Sequence, residues 1–314
     1  MAHTDNGTDN GTGTGTGGTH LGKPTAIRAL RREVPSVVAL LAAEEDFAAM
    51  RGYASFGFDD HARYLRRMEG LLRALSSQGV HTTVALFDPV AYQEYCAHAR
   101  LDPDTPRSRS RFTAEVASTG ATVVYEGQPL DQLLPGLITA AEEHATWEYA
   151  SAVLARAGGC GGPGGCGSGT GRAAFDRAAA ALSALLDAAG PGLHHLVCSV
   201  PVDGVPLAAV VHATAREGRP PKFAEPGAVV FRTVLACGIA TASPGGVVLR
   251  TSLPKAPDTV RGWALRDGWP QPLSEAEVFT AYCTDARTGE PIPPEHRVEY
   301  RAGIPLPRPE QGEG

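Results

Sequence analysis

The sequence predicts an α/β protein, with a Rossmann-like, mostly parallel three-layer N-terminal domain and a mixed α+β, largely antiparallel C-terminal domain. Three observations support this prediction. Between residues 36 and 125, short apolar β-branched runs alternate with segments of helical period, which is typical of a doubly wound sheet. Residues 158–171 contain nine glycines in fourteen positions. Beyond them, two apolar runs flank Asp203-Gly204, the strongest two-residue hairpin signal.

Changes in composition divide the chain into five segments. Residues 1–24 are mostly Gly, Thr, Asn and Asp, so they bury too little apolar surface to offset the entropy of ordering. We therefore expect them to form a disordered tail. The remaining segments are predicted to be a Rossmann-like domain (25–157), a Gly-rich linker (158–171), an α+β domain with hairpins (172–304) and a loose tail (305–314).

The most informative stretch is a helix followed directly by a strand. From Asp59 or Asp60, either of which can cap the first turn, apolar residues recur at helical spacing up to Gly79, a residue suited to a left-handed C-terminal cap. Residues 80–87 are apolar and β-branched, which predicts a strand buried on both faces. Asp88-Pro89 ends that strand, because proline donates no ladder hydrogen bond.

Two further N-terminal strands are predicted, at 36–43 and 121–125. We expect all three strands to lie side by side and to run in the same direction. The intervening segments predict helices at 89–100 and 112–118, and at 130–157 one or two helices with a break at Pro135-Gly136.

The C-terminal half is predicted to contain mainly hairpins. The turn at Asp203-Gly204 places Val202 opposite Val205, and His195 opposite His212. A second hairpin is predicted from 229–242 and 247–253 around Ser-Pro-Gly-Gly, although 228–237 can alternatively be a helix. Before the first hairpin, 172–189 is predicted to be an alanine-rich helix.

The overall composition favours a cytoplasmic location. The formal charge is −6, so we expect no nucleic-acid partner and no attraction to anionic lipid. No apolar run approaches the ~20 residues of a membrane helix, and the N-terminus lacks the pattern of a secretory signal. In the cytoplasm, the six cysteines are expected to be thiols.

Acidic residues follow each of the three predicted parallel strands. In open α/β sheets, ligands bind outside the carboxyl ends of the strands, where carboxylates hold Mg²⁺ or Mn²⁺ or contact a ribose hydroxyl. Acids are also common there simply because strands end in polar loops, and that alternative remains open. The candidate residues are Asp88 and His61 for catalysis, and Glu44, Glu45, Asp46, Asp59, Asp60 and Glu126 for ligand binding.

A histidine pair is the second candidate site. Because His195 and His212 are cross-strand neighbours in the predicted register, both imidazoles can reach one metal ion. No third ligand is visible in the sequence, and two partly exposed histidines on a sheet surface are the alternative. The glycine run with Cys160 and Cys166 lacks the lysine of a phosphate-binding loop, which favours a linker.

These patterns leave two classes of function. The first is a cytosolic enzyme or sensor that binds a small anionic or nucleotide-like ligand at the carboxyl edge of the N-terminal sheet, with a divalent metal. The second is a non-catalytic adaptor for a protein partner, which is suggested by the long aromatic, glycine-spaced loop at 47–58, the disordered tail and the flexible linker.

Overall fold

The computed structural model describes residues 36–158, 168–224, 227–285 and 288–308. They form a mixed α/β structure with eight helices and two sheets. The predicted tail at 1–24 lies outside the described residues, as do most of the predicted linker at 158–171 and positions 309–314 of the predicted loose tail. Among the described residues, no helix combines the length and apolarity needed to cross a membrane.

Up to the first sheet's last strand, the elements are β1 (Ser36–Leu40), α1 (Glu44–Met50), α2 (His61–Ser77), β2 (Thr82–Leu86), α3 (Pro89–Ala99), α4 (Pro106–Thr119) and β3 (Thr122–Val124). The rest are α5 (Leu130–Gly158), α6 (Ser168–Ala189), β4 (Gly192–Val202), β5 (Val205–Arg216), β6 (Arg219–Phe223), α7 (Gly227–Thr241), β7 (Gly245–Ser252), β8 (Asp258–Arg266), β9 (Trp269–Pro272), α8 (Glu275–Tyr282) and β10 (Val298–Tyr300).

The described residues divide into two compact units between Leu134 and Pro135, within α5. The predicted boundary at 158–171 falls mostly on residues that are not described, and it stays a prediction. The predicted break of the helix at Pro135-Gly136 is wrong, because α5 continues through Pro135. A proline inside a helix costs about 3 kcal/mol. Burial of Leu133 and Leu137 on either side of it offsets that cost.

The first sheet has the order β1-β2-β3. β1 and β2 are parallel, as predicted, with Ser36 opposite Thr82 and Leu40 opposite Leu86. β3 is antiparallel to β2, so the prediction of three parallel strands is wrong. The physical reason is that two helices, α3 and α4, separate β2 from β3. Each helix reverses the direction of the chain, and two reversals return it to the edge at which β2 ends.

The second sheet has seven strands in the order β10-β8-β7-β4-β5-β6, with β9 pairing to β8. The β4–β5 hairpin has the predicted register, including Val202 opposite Val205 and His195 opposite His212. On one face, alternate residues of β4 and β5 pack with α6 and α7 into a core that includes Leu185, Leu196 and Phe231. The antiparallel character that the sequence predicts for this half is therefore confirmed for β4, β5, β6, β7, β8 and β9.

The second predicted hairpin, formed by 229–242 and 247–253, is wrong. Residues Gly227–Thr241 form the helix α7, the alternative that the sequence left open, and β7 instead forms a hairpin with β8. Nearly all of α7 is buried, so its sequence lacks the polar positions that reveal a helical period. Its β-branched residues then resemble a strand.

Candidate functional site

The parallel pair β1–β2 brings two chain segments to one edge of the first sheet. The Phe87 amide donates to the Leu40 carbonyl at 2.8 Å, so the ladder continues to the last residue before Asp88. On the β1 side, Leu41 is followed by α1, whose first turn contains Glu44, Glu45 and Asp46. Asp88 and the three acidic residues of α1 therefore lie at the carboxyl edge of β1 and β2, as the sequence predicted for these two strands.

Asp88 is the N-cap of α3. Its carboxylate Oδ1 accepts hydrogen bonds from the Val90 and Ala91 amides at 2.8 and 3.1 Å. Proline at the first helical position, Pro89, lacks the N–H that would otherwise be unpaired there. The cap fixes the carboxylate at the end of β2 and leaves its second oxygen, Oδ2, for another partner.

Asp46 and Asp88 lie at the starts of the two helices that follow β1 and β2. Partial burial raises the pKa of the Asp46 carboxyl above its ordinary value, and the negative charges of Asp88 and Glu45 raise it further. The charges of Asp88 and Glu45 thus act on Asp46, and we call these three residues the acidic cluster. Glu44 lies in the same turn of α1 and is exposed.

His61, the first residue of α2, lies at the same strand end. Its Nε2 is 3.0 Å from the Leu41 carbonyl oxygen, which only accepts, so Nε2 carries the proton. Its ring contacts Phe47, with the centroids 5.1 Å apart. The hydroxyl of Tyr64 accepts the Leu41 amide at 3.2 Å, and burial raises the pKa of this phenol. His61 and Tyr64 thus pair both backbone groups of Leu41 and hold α2 against the end of β1.

The aromatic loop before α2 is folded onto the core of the first unit. Part of it, up to Met50, belongs to α1 rather than to a loop. Phe56 and Phe58 pack on the ring of Tyr64, with centroid distances of 6.1 and 5.1 Å. These rings therefore help to form the unit's own core, which weakens the sequence argument that the loop serves a protein partner.

Two residues to which the sequence assigned no role, Asp104 and Arg109, anchor this loop. The carboxylate of Asp104 accepts the Ala54 and Ser55 amides at 3.0 and 2.7 Å, and Arg109 donates to the carbonyl and hydroxyl oxygens of Ser55. The hydrogen bonds from Ser55 lower the pKa of Asp104. The sequence does carry one signal for this region: Thr105-Pro106, a capping residue followed by proline, marks the start of α4. This start places Arg109 in the first turn of that helix.

Of the remaining predicted acidic residues, two lie at the start of α2 and one follows β3. Asp60 caps α2, accepting the Arg63 amide at 2.6 Å, and Asp59 precedes it as an exposed residue. Glu126 follows β3, and because β3 is antiparallel to β2, it leaves the sheet at the opposite edge from Asp88. The expectation that Glu126 joins the other acids is therefore wrong.

The histidine pair lies on the second sheet. The rings of His195 and His212 stack with their centroids 4.5 Å apart, and Arg250 lies across from His195 on β7. Burial lowers the pKa of His195, and the charges of His212 and Arg250 lower it further. His194, on the other face, is buried, with its ring nitrogens near the Thr251 hydroxyl and the Gly190 carbonyl.

Across the described ranges, no three His, Cys, Asp or Glu side chains are grouped so that they would hold a metal ion. A metal role for His195 and His212 stays a prediction. Cys160 and Cys166 lie outside the described residues, whereas Cys96, Cys198, Cys237 and Cys283 are free and buried.

An open groove of about 710 Å³ lies between α8 and β10, lined by Glu275, Phe279 and Tyr300 among others, and no sequence pattern indicated it.

Residues 25–128 match the model of a family described as a domain of unknown function, DUF8829. The matched region contains β1, β2 and β3, together with the acidic cluster at the carboxyl edge of β1 and β2. No curated protein and no solved structure matches the chain.

Proposed function

We propose that the first unit is the ligand-binding part of an enzyme or sensor, in which Asp46 and Asp88 hold Mg²⁺ or Mn²⁺ and the cation recruits a small anionic or nucleotide-like ligand. The observation that carries this proposal is that Asp46 and Asp88 follow two paired parallel strands at the same carboxyl edge, where the charge of Asp88 contributes to the raised pKa of Asp46. In this proposal β1, α2 and β2 act as the part of a Rossmann-like domain that contains the binding crevice.

The proposal includes a cation because the acidic cluster by itself would repel an anionic ligand. Three neighbouring carboxylates repel one another and also repel a phosphate or carboxylate ligand. Mg²⁺ is usually held by one or two protein carboxylates together with waters and ligand phosphates. The two carboxylates of Asp46 and Asp88 therefore suit a cation that completes its coordination with waters and the ligand.

His61 is the candidate base. Its Nε2–H is used by the Leu41 carbonyl, which leaves Nδ1 as an acceptor on the other side of the ring. An imidazole fixed in one tautomer at the rim of a cation site is suited to accept a proton from a bound water or hydroxyl. For a sensor, the same residue would serve only to position the ligand.

A binding experiment tests the proposal. Thermal unfolding of the full chain is followed with Mg²⁺, Mn²⁺ and nucleotides, alone and combined, after removal of metal by a chelator. A ligand that binds only the folded form at one hundred times its Kd stabilises it by about 2.7 kcal/mol. We expect this shift in the wild type and its loss in Asp46→Asn and Asp88→Asn, since asparagine keeps the helix cap of Asp88 but removes the charge.

Glu126→Gln provides the matched control, because it removes one carboxylate at the opposite edge of the same sheet. It is expected to retain the full shift. The proposal is contradicted when no member of the panel stabilises the wild type, or when Asp46→Asn responds like the wild type. Turnover of any nucleotide that binds then separates an enzyme from a sensor.

A cytoplasmic location belongs to the same proposal. Nucleotide-like ligands and free Mg²⁺ occur there, and the four described cysteines are unpaired. The aromatic loop no longer supports the adaptor alternative, because its rings pack in the core of the first unit.

A further inference from the structure

The second sheet has three strands that each pair with one neighbour only, and two of them contain prolines. β6 carries Pro220 and Pro221, and β9 carries Pro270 and Pro272. Proline has no N–H, so an edge that contains it is a poor template for a further strand. β10 contains no proline and lies at the opposite end of the strand order from β6. β10 is therefore the edge that is open to a further strand.

The register of β10 directs four backbone groups out of the sheet. Its bonds to β8 include the Arg297 carbonyl and the Arg301 amide, at 3.0 and 2.9 Å. Because residues that bond to the partner strand alternate along a parallel ladder, Glu299 is the residue between them that faces β8. The N–H and C=O groups of Val298 and Tyr300 therefore point to the free side. In the part of the chain that the structure describes, no hydrogen-bond partner lies there for them.

The groove between α8 and β10 lies beside this free edge. One side of α8 lines it, with Glu275, Ala276, Phe279 and Thr280. On the strand, the ring of Tyr300 packs edge-on against Phe279, with the ring centroids 5.3 Å apart. Phe279 nevertheless remains 43% exposed. The groove thus offers aromatic surface to an apolar side chain of a strand placed next to β10.

The charges at the groove favour a basic group beside that apolar side chain. Glu299 is already paired with Arg301, whereas Glu275 is exposed and forms no ion pair within the described ranges. Glu275 precedes Phe279 by four residues, about one helical turn of 5.4 Å. Alternate side chains of an extended strand are about 6.8 Å apart. One extended peptide can therefore place an apolar side chain against Phe279 and a basic one near Glu275.

We propose that β10 binds an extended peptide segment of a partner protein, which adds a strand to the sheet and places an apolar and a basic side chain, two residues apart, in the groove beside α8. An extended peptide fits because unpaired main-chain groups on an edge strand are satisfied by another main chain, while pockets for alternate side chains provide specificity. The shortness of β10 and the charges of Glu299 and Arg301 disfavour open-ended aggregation at this edge. The proposal concerns the second unit and is independent of the cation site at the first sheet.

Peptide selection followed by measured binding tests the proposal. The full chain selects from a phage-displayed library of random seven-residue peptides, and fluorescence anisotropy gives the Kd of the most enriched peptide. We expect the enriched sequences to hold Lys or Arg two residues from an apolar side chain. The amides of that peptide are then N-methylated one at a time. Because alternate N–H groups of an added strand face β10, methylation is expected to weaken binding about tenfold at every second residue and little at the residues between.

Substitutions in the groove provide the second readout. Phe279→Ala is expected to weaken binding of the selected peptide about tenfold, because it removes the exposed aromatic surface of the groove. Glu275→Gln is expected to weaken it about threefold, the size of an exposed ion pair. Glu217→Gln is the matched control, since it removes an exposed carboxylate in the turn before the proline-containing edge β6, and it should leave the Kd unchanged. Circular dichroism establishes that each variant is folded.

An alternating N-methylation pattern, together with weaker binding by folded Phe279→Ala and Glu275→Gln, supports the proposal. A selection that enriches no sequence overturns it. Methylation effects that do not alternate, or a Kd that both groove variants leave unchanged, overturn it as well. A wild type that is dimeric by sedimentation equilibrium, binds no peptide and becomes monomeric in Phe279→Ala would assign the edge to a second copy of this chain, and would also overturn it.

Discussion

Replacing Tyr64 by phenylalanine tests how α2 is fixed to the end of β1. The hydroxyl oxygen of Tyr64 accepts the Leu41 amide at 3.2 Å, and both residues are buried. Phenylalanine keeps the ring contacts with Phe47 and Phe58 but leaves the Leu41 N–H without an acceptor. A buried donor left unpaired costs about 1–3 kcal/mol. For a unit of about 100 residues, each kcal/mol lowers the melting temperature by about 4–8 °C.

Tyr125 provides a matched control within the same unit. Its hydroxyl is buried and has no hydrogen-bond partner among the described residues. Tyr125→Phe removes an unpaired polar atom, so we expect it to be neutral or to stabilise the unit slightly. The two substitutions delete the same atom from the same residue type, and only the first breaks a hydrogen bond.

Urea denaturation followed by two probes measures the difference. All three tryptophans, Trp147, Trp263 and Trp269, lie after Leu134, so their fluorescence reports on the second unit. Circular dichroism reports on both units. We expect Tyr64→Phe to lower the midpoint of a transition seen by circular dichroism by about 0.5–1.5 M, for a urea dependence of about 2 kcal/mol per M. Equal midpoints for Tyr64→Phe and Tyr125→Phe would refute this account of the strand end.

The remaining predictions concern backbone space and pH. Gly227→Ala is expected to destabilise the chain by about 1–3 kcal/mol, because a Cβ there would lie 2.7 Å from the Val210 carbonyl oxygen. Gly70→Ala, where nothing lies within 4 Å, is expected to stabilise α2 by about 0.5–1 kcal/mol; urea denaturation checks both. Burial lowers the pKa of His194, so the unfolded chain binds more protons near pH 6. The melting temperature is therefore expected to fall as the pH drops below about 6.5, and His194→Gln should flatten that dependence. The pKa of Asp46 is raised instead, so its contribution to stability is present at low pH and is lost as pH rises through that pKa. Without divalent cations, the melting temperature of Asp46→Asn at pH 7 is therefore expected to equal or exceed that of the wild type.

Local sequence signals predicted the elements whose geometry is set by a few neighbouring residues. Asp203-Gly204 determines a two-residue turn, and the turn determines the whole β4–β5 register, which the structure confirms. The parallel pairing of β1 with β2 followed from one strand–helix–strand alternation. These features depend on spacing and turn chemistry, which are visible in a single sequence.

Features that depend on tertiary context were not predictable in the same way. The sequence predicted two helices between β2 and β3, at 89–100 and 112–118, but the second one, α4, begins earlier, at Pro106, and is long enough to return the chain to the edge at which β2 ends. α7 is buried almost all round, so its apolar residues do not show a helical period. The anchor at Asp104 and Arg109 joins residues about fifty positions from Ser55, a separation at which no local pattern operates.

Paramagnetic broadening by Mn²⁺ tests the central proposal, the cation site of Asp46 and Asp88, most directly. Substoichiometric Mn²⁺ broadens amide resonances near the bound ion in an NMR spectrum of the full chain. We expect the strongest broadening at residues 45–47 and 88–90, with the resonances around Glu126 much less affected and the effect lost in Asp46→Asn. Broadening centred on His195 and His212, or uniform weak broadening that Asp46→Asn does not change, would contradict the proposed site.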